Sequence, residues 1–353
     1  MDEFNPYEDK DKTLKLVQKV VEQITADIMS AEDLFDDKTR GRIMASCINL
    51  LEQLGEEISN YITPEIVEAY QAGWELGGSL LAESGLEGIQ GNLVSLVHAN
   101  AVQSIALEAI DDMQAAIRTA IMSLISINDT LQAVHDQIGE GLIKGRTTRD
   151  MTKAIQREFA EVGLTSFVTI DNRRLPLDFY AMTVTRTKVR KAQVKGSLNR
   201  YIENDLDLVR INKRAYTCKV CGEREGLVVS IAGNTPGYPT FDDIGGEPPF
   251  HPNCKHYIIP VTESDLYPPK PFTGVDKRTE ASKETYETEQ KIRVKANQEK
   301  KLYMKMKAEA EAAGDTFPNI GVWRRMKRKN DEKWKALQKQ YRQSINRLPI
   351  AKS

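Results

Sequence analysis

Two stretches, TCKVCGEREG (residues 217–226) and GGEPPFHPNCKH (residues 245–256), hold three of the chain's four cysteines and two of its four histidines. Cys218 and Cys221 are separated by two residues, and Gly222 follows, so a tight knuckle can aim both sulfurs at one point. His251 and Cys254 sit where a single turn presents both. His256 can reach the same point from the start of a following strand. Thiolate sulfur and imidazole nitrogen suit the borderline softness of zinc, and four such ligands complete a tetrahedral structural site. Cys218, Cys221 and Cys254 are the expected ligands, with either His251 or His256 as the fourth. Asp242, Asp243, Glu223 and Glu247 lie nearby, but none stands at the spacing of a hydrolase motif, and a catalytic zinc needs an open position and a base. The expected zinc is therefore a structural clip. Such a clip supplies on the order of 10 kcal/mol to a small module, ample for a segment with so few apolar residues.

Working outward, the chain on the N-terminal side reads as helix after helix. Leu14, Val17, Val21, Ile24 and Ile28 keep the helical period, as do Ile43, Cys47, Leu50, Leu54 and Ile58. Cys47, on such a face, reads as a small buried hydrophobe. Thr63 and Pro64 suggest an N-cap and first helical position, and Gly73, Gly77 and Gly78 suggest close helix packing or a break near Gly77. Further helices are expected over about residues 92–127 and 129–143, with a stop and restart in KGRTTRD (residues 144–150). His98 and His135 fall on these helices, where a histidine is expected to bridge helices by hydrogen bonds. SFVTI, DNRR and LPL (residues 166–177) read as a small hairpin. A helix from about Asp178 to Tyr201 follows, after which LDLVRIN begins a mixed region with the strand candidates LVVSI and HYIIPV around the cysteines. YPPKPFTG (residues 267–274) reads as a linker, and the remainder as a helical tail in two parts, broken near AAGDTFPNIG (residues 312–321). The fold class expected is mainly α: a helical domain over 1–145, an α+β module with the Cys/His cluster over 146–265, a Pro-rich linker over 266–281 and a basic helical tail over 282–353.

The formal net charge of −2 hides a division. From Asp276 onward, 21 Lys and Arg face 11 Asp and Glu; with totals of 49 and 51, the first 275 residues hold 28 and 40. An acidic body with a basic tail points to nucleic acid or an acidic partner. The strongest basic segments are Arg324, Arg325, Lys327, Arg328 and Lys329 in the tail, and Arg186, Arg190, Lys191 and Lys195 in the helix before the cluster. Phosphate neutralisation by these groups would bind DNA with little sequence readout. Trp323 and Trp334 flank the tail cluster and are either packing anchors or stacking platforms for bases. No apolar run reaches a membrane-spanning length, and the acidic start MDEFNPYEDKDK lacks a secretory h-region. With few cysteines, this places the chain in a reducing compartment. A Walker-type phosphate loop and a Ser/His/Asp or Cys/His nucleophile arrangement are not found in the sequence, which argues against an ATPase or hydrolase, and the chain is not expected to be an enzyme.

The order of these features resembles the minor capsid, or head morphogenesis, proteins of tailed bacteriophages, and most of all the branch called phage minor capsid protein 2. The resemblance rests on GRTTRDMTKAIQREFAEVGL (residues 145–164), on Tyr180, Met182, Arg186 and Thr187, and on the closing His251, Pro252, Asn253, Cys254 and His256, over about residues 130 to 345. It implies a virion protein of low copy number in the head interior or at the portal vertex, assembled in the host cytoplasm. It further implies portal or major capsid protein as partner, double-stranded DNA as a further contact, and a role in head assembly and in DNA packaging or delivery. Some relatives carry Cys where this chain has His256, which keeps the fourth ligand open. The competing expectation is a metal-dependent nuclease acting on phage or host DNA.

Overall fold

Apolar periodicity accounts for most of the architecture. The computed structural model describes residues 12–30, 36–86, 91–139, 166–168, 174–215, 217–263, 267–312 and 315–346. Helix α1 spans Lys12–Met29, α2 Asp37–Glu83 and α3 Leu96–Gly139. In α2 the residues Cys47, Leu51, Leu54, Ile58, Ile62 and Ile66 form one buried stripe at helical spacing. Leu51, one residue beyond the expected Leu50, fills the stripe. The expected helix start at Pro64 is corrected: α2 runs straight through it. Burial of Ile62 and Ile66 on either side outweighs the ~3 kcal/mol that an interior proline costs. Likewise, α3 continues past the expected junction at Asn128. The KGRTTRD stop and the His135 side chain lie outside the described residues.

A short antiparallel hairpin, β1 (Ser166–Val168) with β2 (Arg174–Pro176), leads directly into α4 (Leu177–Ile202). Next come β3 (Leu208–Ile211), the one-turn helix α5 (Lys219–Gly222), β4 (Val228–Ser230) and β5 (Ile258–Pro260). The last three strands form an antiparallel sheet in the order β4-β3-β5, with Val209 opposite Val229 and Ile211 opposite Ile258. The C-terminal part holds α6 (Glu280–Ala312), α7 (Ile320–Lys329) and α8 (Glu332–Asn346). The tail therefore breaks twice, not once. The second break is local chemistry: Asn330 takes the left-handed conformation that ends α7, and the Asp331 carboxylate accepts the Trp334 N–H at 2.8 Å to start α8.

The contacts divide the chain into two compact units that interleave along the sequence: Met1–Val17, Leu54–Ala116 and Asp178–Glu289 in the first, the rest in the second. Within the first unit, α2 and α4 approach at glycines. A Cβ on Gly73 would lie 2.0 Å from the Gln193 carbonyl oxygen, and one on Gly196 would lie 2.2 Å from that of Tyr70. Close packing, rather than a break, is what these glycines provide. Ser197 Oγ donates to the Gly73 carbonyl at 2.6 Å across the same contact. His98 bridges helices as expected: its Nδ1 lies 2.7 Å from Tyr70 Oη and its Nε2 2.6 Å from Glu203 Oε1. The sheet packs on α4 through Val194, Leu198, Tyr201, Val209, Ile211, Val229 and Ile258, and β5 of this sheet begins two residues after His256. In the second unit, Trp323 and Trp334 pack edge to face, 5.3 Å apart, with Met306 beneath them. Cys47 there is fully buried, and burial pushes its thiol up to about 12.

Candidate metal centre

The first half of the site is built by α5. Cys218 caps this one-turn helix, its sulfur accepting the Cys221 N–H at 3.5 Å. That geometry turns both sulfurs of the Cys-x-x-Cys pair to one side. The second half is a turn closed by the Cys254 N–H donating to the His251 carbonyl at 3.0 Å. Asn253 makes the turn possible by adopting a left-handed conformation, φ 62°. His256 follows on the approach to β5.

The five donors form two overlapping groups, Cys218–Cys221–His251 and Cys221–Cys254–His256, sharing the Cys221 sulfur. His251 Nε2 lies 3.2 Å from Cys218 Sγ and 3.1 Å from Cys221 Sγ. Cys221 Sγ and Cys254 Sγ are 3.6 Å apart, and His256 Nδ1 lies 3.4 Å from Cys254 Sγ. A tetrahedral zinc, with bonds of ~2.3 Å to sulfur and ~2.0–2.1 Å to nitrogen, sets neighbouring donors roughly 3.5–3.8 Å apart. Within each group the spacings come within a few tenths of an ångström of these values, and the residue types suit the ion; for four donors to share one ion, Cys254 closes on Cys218 and His251, from which it stands further off. The far ring nitrogens are also tied: His251 Nδ1 lies 2.8 Å from the Pro252 carbonyl, and His256 Nε2 lies 2.8 Å from Glu225 Oε1. Orienting partners of this kind are what metal-ligating histidines have.

The proton distribution suits a cation. Hydrogen bonding from the Cys221 thiol, against the opposing effect of burial and with help from His251, brings Cys218 down to about 4. Cys254 is brought down to about 3 when the single Cys221 thiol proton is directed to it instead, aided by His256. Cys221, whose one proton can go to either of these sulfurs and which is buried, is pushed upward. His251 is raised to about 9 by its bond to Cys218, and His256 is raised because Cys254 and Glu225 outweigh its burial. Thiols shifted toward thiolate beside imidazoles shifted toward their protonated forms are a set that a divalent cation can replace by displacing protons.

The basic residues fare unequally. None of Arg186, Arg190, Lys191 and Lys195 is exposed. Arg190 is buried, Lys191 pairs with Glu108 at 2.7 Å, and Lys195 pairs with Glu247 at 2.9 Å. The stretch reads as basic in sequence because its carboxylate partners lie 52 to 83 residues away. In the tail, Lys327 and Arg324 share Glu299, at 2.8 and 3.6 Å, while Arg325, Arg328 and Lys329 are exposed. Trp323 and Trp334 are packing anchors, buried and closed to bases. Sequence reasoning missed Glu225, and it treated Asp276 and Arg278 as linker. The signal for Glu225 was its place in the same knuckle, four residues after Cys221; nothing local marked the other two.

Among the described residues, no helix is long and apolar enough to cross a membrane. No curated protein and no solved structure matches the chain. The model of one protein family, phage minor capsid protein 2, does match, over residues 40–346, which takes in nearly all of α2, all of α3, the Cys/His cluster and helices α6 to α8. That family is structural rather than enzymatic and its members are virion components. A match of this extent means that the chain belongs to the phage minor capsid protein 2 family.

Proposed function

We propose that this minor capsid protein acts in head assembly and in DNA packaging or delivery, near the portal vertex, and that a structural zinc holds its α+β module together. The observation that carries the zinc reading is the convergence of three sulfurs and two imidazoles, with both imidazoles oriented from behind. Cys218, Cys221, Cys254 and His251 are the proposed ligands, because His251 Nε2 lies against two of the three sulfurs. His256 then bridges the Cys254 sulfur and Glu225. The zinc supplies cross-linking, and the chain's own residues do the rest: α5 and the 251–254 turn aim the donors, and the sheet holds the two halves in register. A nuclease would need a coordination position left open to water and a base beside it. Here the donors exceed four, and the carboxylate that reaches the cluster, Glu225, is engaged by His256.

The exposed Arg325, Arg328 and Lys329 support a contact of the tail with double-stranded DNA or with an acidic surface of the portal or major capsid protein. Replacing these three by Ala in the full chain should flatten the salt dependence of any DNA binding. A salt slope unchanged by the triple variant would remove the tail as the DNA contact. The assembly role is tested by quantitative mass spectrometry of purified procapsids and full virions. The chain should be present in both, in far fewer copies than the major capsid subunit. Its absence from both particles would sink the reading.

A further inference from the structure

The segment after the Pro-rich stretch does not merely link. Asp276, Lys277 and Arg278 lie across the outside of the Cys218–Cys221 knuckle. The Arg278 guanidinium holds Asp276 in two-toothed fashion, Nε at 2.9 Å from Oδ1 and Nη2 at 2.8 Å from Oδ2. Its remaining Nη1 donates to the Thr217 carbonyl at 3.0 Å, immediately before Cys218. The Lys277 N–H reaches the Gly222 carbonyl at 3.4 Å, immediately after Cys221. Gly222 is where the close approach requires glycine: a Cβ there would lie 2.4 Å from Arg278 Cγ and 3.1 Å from Asp276 Oδ1. The side chains of Arg278 and Asp276 are only 10% and 18% exposed. Both ends of the knuckle are thus held by one three-residue strap, which opens directly into α6.

We propose that Asp276 and Arg278 are positioning residues of the metal centre, so that metal affinity and docking of residues 276–278 are thermodynamically linked. Two physical effects carry this. Three thiolates and a neutral imidazole around a divalent ion leave one net negative charge, and Arg278 supplies a buried positive charge beside it. The strap also fixes the carbonyls on either side of the two cysteines, which pre-orients their sulfurs. Groups that orient ligands from behind change metal affinity by about 10–100-fold when removed. Linkage makes the effect reciprocal: whatever factor the strap adds to metal affinity, the metal adds to docking of the strap.

The inference rests on the metal reading above, and its test separates the two. The full chain is loaded with zinc, and its affinity is measured by competition with a chelator of known strength, for wild type, Arg278→Gln and the milder Asp276→Asn. Trypsin cleavage after the exposed Lys277 is followed on wild type with zinc and after zinc is stripped, which needs no variant to fold. The expected result is a loss of about 10-fold or more in zinc affinity for Arg278→Gln, a smaller loss for Asp276→Asn, and faster cleavage after Lys277 once zinc is removed. Wild-type zinc affinity in both variants, with cleavage indifferent to zinc, overturns the linkage while leaving the centre intact. A wild-type chain that takes up no zinc overturns the metal reading and the linkage with it.

Discussion

Substituting Gly73 by Ala tests the account of how the first unit is packed, and the structure supplies a control on the same helix. An interior helical glycine costs ~0.8–1.0 kcal/mol relative to Ala, so on propensity alone the change stabilises. Packing opposes it. The new Cβ would sit 2.0 Å from the Gln193 carbonyl oxygen and 2.6 Å from its carbonyl carbon and Cα, all backbone of α4. No rotamer relieves a backbone contact, so α2 and α4 must move apart by more than an ångström. Overpacking of this kind costs about 1–3 kcal/mol, at times more. Separation also weakens the Ser197 Oγ bond to the Gly73 carbonyl, 2.6 Å long, worth about 1 kcal/mol. The balance is a net destabilisation of about 2 kcal/mol, within the usual range for a core substitution. Gly41, also in α2, has nothing within 4 Å of its would-be Cβ, and Gly41→Ala should stabilise by about 0.5–1 kcal/mol. Urea denaturation followed by far-UV circular dichroism should place the Gly73→Ala midpoint below wild type and the Gly41→Ala midpoint above it. A Gly73→Ala midpoint equal to or above wild type would refute the close-packing argument.

Cys221→Ser removes the sulfur common to both donor groups and should abolish stoichiometric zinc retention through gel filtration; retention at the wild-type level would mean the metal sits elsewhere. Asp207 is partly buried, which pushes its pKa up, but the hydroxyls of Ser230 and Thr235 and the Ala232 N–H outweigh that and hold it below the usual carboxylate range. Its contribution is therefore complete above the unfolded carboxylate pKa of ~3.9 and is lost as pH falls through the lower folded value. Asp207→Asn should lower the urea midpoint clearly at pH 6 and progressively less toward pH 2, and a pH-independent difference would contradict the assignment. Trp323→Ala empties the centre of the tail cluster, where Trp323 touches Tyr303 and Trp334, and should cost about 3–5 kcal/mol, read as a lowered thermal midpoint. An unchanged midpoint would leave room for the stacking role that its burial excludes.

How far the sequence carried the reading differs from element to element. The cluster was legible because its five donors are close in sequence and belong to residue types that rarely gather without a reason. The helical stripes of α1 and α2 were legible from period alone, and the hairpin, β4 and β5 from short apolar runs between turn residues, whereas LDLVRIN, which holds β3, read only as the start of a mixed region. Pro64 misled because the rule for a helix start is local, whereas the stripe through Ile62 and Ile66 that carries α2 onward extends over several turns. The basic run in α4 misled for the reverse reason. Glu108, Asp112 and Glu247 neutralise it from other elements, and no window of sequence holds both halves of those pairs. The choice between histidines needed the sulfur that each ring faces, which spacing does not encode. Residues 276–278 lay hidden because a strap has no periodicity, and its work is done by one guanidinium, the carboxylate that holds it and one backbone N–H.

The measurement that bears most directly on the central claim is the zinc content of the purified full chain by elemental analysis, paired with circular dichroism before and after stripping by a strong chelator. The account predicts one zinc per chain and a loss of ordered structure on stripping that is regained when zinc alone is returned. A chain that carries no zinc, or that keeps its spectrum and thermal midpoint unchanged once stripped, would contradict it.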